Sequence, residues 1–150
     1  MRRHKDKGRL TPFVPLLLET IRTPAWRAMS TGARLLYVVL KSRYGLDRKN
    51  NGHIFVSTRD AAKELGSNRS AVLRWFRELQ HFGFIEKTAG GCLGTDGKGK
   101  APHWRLTELG YKAEPPTKDF LRWNGTRFRK QNSKIIGSAA RPRQAAASCA

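Results

Sequence analysis

Residues 67–84 read SNRSAVLRWFRELQHFGF. Val72, Trp75, Phe76, Leu79 and Phe82 follow one another at steps of three, one, three and three, which is a single apolar stripe at helical period. Gly83 then supplies a C-terminal stop. Ser67 and Asn68 stand where an N-cap belongs, so the spacing predicts one helix over 69–82. Its opposite face holds Arg69, Ser70, Leu73, Arg74 and Arg77. One side is built to be glued down, and the other presents arginine.

Just upstream, STRDAAKELG starts with Ser57 and has Asp60 three residues on, a capping-box-like opening, and it ends at Gly66. A helix of about two turns fits there, and only a tight turn separates it from the next. Two short helices so joined, the second amphipathic and basic outside, form a helix-turn-helix pattern. Earlier still, STGARLLYVVLKSRYG places Leu35, Leu36, Val39 and Leu40 on one broad face, with Ser30 or Thr31 as cap and Gly45 as stop. Thr23 and Pro24 begin a short first helix, proline being tolerated where no N–H is needed. HIFVS, residues 53–57, is a brief β-type run.

Downstream, FIEKT (84–88) and HWRLT (103–107) read as two strands of a hairpin. In the second, Trp104 and Leu106 point one way and His103, Arg105 and Thr107 the other. Between them GGCLGTDGKGKA (90–101) has Gly94, four residues, Gly99 and Lys100, close to a phosphate-binding loop. It lacks the buried strand before it, has Ala101 where a magnesium-holding hydroxyl belongs, and runs into Pro102 instead of a helix. Five glycines with Lys98 and Lys100 instead suit a flexible, charged hairpin tip. Later, PPTKDFLRW can form one short helix carrying Phe120, Leu121 and Trp123. The expected fold class is mainly α with a small β-hairpin wing, α+β.

Thirty Lys and Arg against eleven Asp and Glu give a formal net charge of +19, which calls for a strongly anionic partner. Residues 120–150 carry seven basic side chains and no acidic one, whereas 59–110 carry nine basic and six acidic. The expected organisation is a basic arm and lead-in over 1–22, a folded domain over 23–110, an extension over 111–128 and a disordered basic tail over 129–150. No apolar run is long enough to span a bilayer, and Pro12 and Pro15 interrupt the only approach to a signal-peptide core, so a cytoplasmic, nucleoid-associated protein is expected. Cys92 and Cys149 read as unpaired thiols. No histidine pair has metal-ligand spacing and no nucleophile–base constellation stands out, so neither a metal, a cofactor, a small-molecule ligand nor catalysis is expected.

The order of helix, IFVS, STRDAAKELG, SNRSAVLRWFRELQHFGFIEKT, glycine loop and HWRLT resembles the winged helix-turn-helix domains of bacterial DNA-binding proteins, over about Pro24 to Gly110. From Phe13 to Trp123 the chain is also similar to small helix-turn-helix proteins of bacterial chromosomes, plasmids and prophages, and to N-terminal domains of some replication initiators. The resemblance implies double-stranded DNA as partner, with helix 69–82 in the major groove and the wing on backbone or minor groove. It implies a transcriptional regulator or an accessory factor for replication or a mobile element. The long terminal helices that dimerise multiple-antibiotic-resistance-type regulators have no counterpart in the sequence.

Arg74 and Arg77 sit one turn apart and can offer guanine O6 and N7 a two-pronged donor, or Arg77 a phosphate. Arg69 and Ser70 lie at the end that enters a groove first. Leu73 is either a scattered surface leucine or a contact for a thymine methyl. Asn68, Ser57 and Thr58 read first as caps, and second as phosphate contacts. Lys87, Lys98, Lys100 and Arg105 are candidates for backbone contact from the wing. The bland reading of the arginine face is a solvated surface with Arg74 and Glu78 as an i,i+4 pair. An RNA-binding or ribosome-associated protein and a protein-interaction module of a replication complex are the competing functions.

Overall fold

Thr23, Ser30, Ser57 and Asn68 each hold extended backbone and accept a hydrogen bond from the N–H three residues on, and at each a helix begins. The computed structural model describes residues 12–45, 49–90 and 101–129. A single turn, α1 (Leu18–Ile21), comes first. Then follow α2 (Pro24–Ala28), α3 (Thr31–Ser42), α4 (Thr58–Glu64) and α5 (Arg69–His81). Two antiparallel strands, β1 (Ile85–Ala89) and β2 (His103–Leu106), and a 3-10 turn at Asp119–Arg122 complete the α+β arrangement. The basic start, the glycine-rich stretch with Lys98 and Lys100, both cysteines and the basic tail after Arg129 lie outside the described residues.

The apolar stripe of α5 does what its spacing demands. Val72, Phe76, Leu79 and Phe82 are buried, and Trp75 is half-buried against α3, where Gly32 leaves room for the indole. Gly83 closes the helix at φ +79° and lies against the backbone of Asp119 and Phe120. A side chain there would meet both a strained dihedral and occupied space.

The core face of α3 is rotated from expectation. Ala33, Leu36, Tyr37, Val39 and Leu40 are buried, but Leu35 is 50% exposed. Ser30, not Thr31, is the cap. Trp26 packs edge-on against Tyr37 and Phe84, each at 5.7 Å, and Phe84 stacks on Phe120 at 4.8 Å with nearly parallel rings. The core therefore runs past residue 110: Phe120 is buried, and Trp123 and Phe128 pack on Phe82 and His81 at the end of α5.

HIFVS forms no strand of its own. Its pairing is one bridge, Ile54 with Trp104, through N–H to O bonds of 3.3 and 2.8 Å. The reason lies next door, where the buried Asn51 side chain takes the place of ladder bonds. Its amide donates to the carbonyls of Leu106, Leu109 and Gly110, and its oxygen accepts from the Leu106 N–H at 2.7 Å. Thr107 also departs from expectation. It follows β2 and turns inward, its hydroxyl donating to the Gly83 carbonyl at 2.7 Å.

Candidate nucleic-acid interface

With its stripe buried, α5 turns Arg69, Ser70, Leu73 and Arg77 to solvent and keeps Arg74 part-exposed. Glu78, from the same helix, does not neutralise them. It is buried and faces the start of α3, where it accepts from the Ser30 N–H at 2.5 Å and the Ser30 hydroxyl at 2.7 Å. A carboxylate at a helix N-terminus gains both hydrogen bonds and a favourable dipole. The i,i+4 pair with Arg74 consequently does not form.

Other acids are engaged elsewhere in the same way. Glu64 pairs with Arg43, Glu86 with Arg105, Glu108 with Lys41, Glu19 with Lys118 and Asp119 with Arg122. Asp60 is held by the Ser57 hydroxyl at 2.6 Å. Among the described residues, Arg69, Arg74, Arg77 and Lys87 have no ion-pair partner. A stretch of mixed charge in the sequence thus becomes a purely cationic helix face in space.

Leu73 and Arg77, one turn apart, line an open groove of about 440 Å³. Ser57 and Thr58 line it too, as do Ala101 and Pro102, which lead into β2. Ser57 and Asn68 serve as caps, accepting from Asp60 N–H at 3.0 Å and Ala71 N–H at 2.8 Å. The Ser57 proton is given to Asp60, so that hydroxyl has no donor left for an anion.

Arg105 stands apart from this set. In the antiparallel register Lys87 faces Trp104 and Arg105 faces Glu86, so Lys87 shares the groove side of the sheet and Arg105 the other. Arg105 bonds Glu86 and lies 5.4 Å from the Tyr111 ring centroid. His103 is on that side as well, beside His53 and Phe55.

Gln80, Ala101 and Pro102 were not among the sequence candidates, yet they line the groove. Gln80 was within reach, being seven residues from Leu73 and three from Arg77 on the same helix. Ala101 and Pro102 carry no chemical signal, and only the strand pairing brings them there. No metal-binding cluster of three or more His, Cys, Asp or Glu occurs among the described residues, and none of their helices is long and apolar enough to cross a membrane. No family model matches the sequence, and no curated protein or solved structure is significantly similar to it.

Proposed function

We propose that the protein binds double-stranded DNA as a winged helix-turn-helix module, with α5 in the major groove. The observation that carries this reading is the outward face of α5. Three arginines lie there without an acidic partner among the described residues, because the nearby carboxylates are spent on caps and ion pairs. Such a face gives a polyanion unneutralised charge and guanine a planar donor pair.

The order α3, Ile54 bridge, α4, α5, β1, β2 supports the fold part of the proposal, since the bridge adds a third line of pairing beside the two strands. Lys87 joins from the groove side of the sheet; Lys98 and Lys100, in the stretch joining β1 to β2 in sequence, would add positive charge. The basic arm and tail add attraction that carries no sequence information. The corresponding role is that of a transcriptional regulator or of an accessory factor for a replicon or mobile element.

The test is binding of the full chain to duplexes selected from a random pool, with structured RNA as competitor. Replacing Arg74 and Arg77 together by Ala is expected to lower affinity for the selected site at least tenfold at moderate salt. Unchanged affinity in that variant, or RNA winning at every salt concentration, overturns the proposal.

A further inference from the structure

The groove beside α5 has a chemistry that arginines alone do not explain. Leu73, 47% exposed, lines it together with Arg77 from α5, and Pro102 and Ala101 line it from the segment that leads into β2. An occupant must therefore present a small apolar group and, within one helical turn of it, something that a guanidinium can bond. Phe76 and Trp104 make the floor, but they are only 5% and 4% exposed and stack on each other at 5.1 Å. Their ring faces are closed to an inserted base, so the groove suits an edge and not a flat ring.

We propose that the groove receives the major-groove edge of a thymine, with its C5-methyl on the apolar lining that includes Leu73 and Pro102 and its O4 toward Arg77. This inference rests on the duplex-DNA reading and adds to it. Among the four bases, only thymine shows a methyl group in the major groove, and an acceptor stands beside it. The lining residues Leu73, Arg77 and Gln80 belong to the exposed side of the same helix. The groove and the arginines thus share one exposed side of α5. Charge decides between this occupant and an uncharged apolar ligand, since Arg77 has no acidic partner among the described residues. Leu73 is then a specificity-determining residue, and the base of the wing shares a single base pair with the helix.

Replacing thymines one at a time by deoxyuridine in a selected duplex removes the methyl and leaves every hydrogen-bonding group in place. For the full chain, one thymine per bound site is expected to lose about three- to tenfold in affinity on this exchange. In Leu73→Ala that difference disappears while duplex binding persists, and in Leu73→Met, which keeps an apolar side chain, the difference remains. If every exchange is without effect, as expected for a groove that serves a peptide or a second copy of the chain, the inference fails and the DNA reading stands. A methyl dependence undiminished in Leu73→Ala also overturns it. If no duplex is retained by the full chain, the underlying reading fails first and this one goes with it.

Discussion

Tyr37 donates its hydroxyl proton to Glu108 Oε2 at 2.5 Å, while Lys41 reaches Glu108 Oε1 at 2.6 Å, all three side chains being buried. Charges removed from water are costly unless paired, and here one carboxylate is shared between a cation and a neutral donor. The cluster ties α3 to the turn after β2. Burial first, then the charge of Glu108 and the hydrogen bond to it, push the Tyr37 hydroxyl well above its ordinary value of 10.0. A raised folded value means that the unfolded chain loses this proton at lower pH than the folded one does. The Tyr37 contribution is thus intact below pH 10 and is lost as pH rises beyond it, with a slope approaching about 1.4 kcal/mol per pH unit. Tyr37→Phe should be less stable near neutrality by about 1.5–3 kcal/mol, the value of a hydrogen bond to a charged group. Its stability should fall less steeply than that of the unaltered chain above pH 10. Urea denaturation of both proteins from pH 8 to 11 separates this group from every other one that titrates there, and parallel curves would count against the assignment.

At the scale of the element, the seat of α5 on α3 depends on a missing side chain. A Cβ on Gly32 would lie 2.0 Å from Trp75 Cε2, far inside contact distance. Alanine improves helix propensity by up to about 1 kcal/mol over glycine, whereas forcing an atom into a packed contact costs about 1–3 kcal/mol or more. Packing therefore wins, and Gly32→Ala should destabilise the fold and weaken DNA binding together by tilting the helix. Thermal unfolding and duplex titration on the same sample check this; a more stable variant with full affinity would show that the indole simply moves aside. The caps and the stripe of α5 were legible because each obeys a local rule: a hydroxyl or amide before a helix, large side chains at helical steps. What escaped depends on partners distant in sequence. Glu78 stands within the apolar stripe, three residues from Trp75 and four from Phe82, and that position was the only hint that it points inward. Its partner, Ser30, lies 48 residues away. Leu35 was misplaced because Tyr37 and Lys41 shift the buried face of α3 toward Glu108. The pairing of Arg105, a candidate for backbone contact, with Glu86 escaped for the same reason, since its register is a property of the sheet. The single turn α1 is too short to show any period.

Over the whole molecule the two kinds of positive charge should act differently. On the proposed duplex-DNA reading, those on α5, set on a packed helix, would discriminate among bases, whereas Lys130, Lys134, Arg141 and Arg143, in a stretch without an acidic residue, would neutralise phosphates irrespective of sequence. Each neutralised phosphate on duplex DNA contributes about 0.9 to the slope of log K against log salt. Changing those four residues to Gln in the full chain should reduce the slope by up to about 3–4 and lower affinity for all duplexes alike. Arg77→Ala should change the slope by no more than about 1 and cost mainly the preferred sequence, about 1–3 kcal/mol of discrimination. Titrations of one selected and one unrelated duplex across a range of salt concentrations distinguish the two. If the tail variant lost its preference as well as its affinity, the tail would be reading sequence. The division of labour between helix and tail would then be wrong, because a change confined to phosphate neutralisation lowers affinity for every duplex alike and leaves the preference among them untouched.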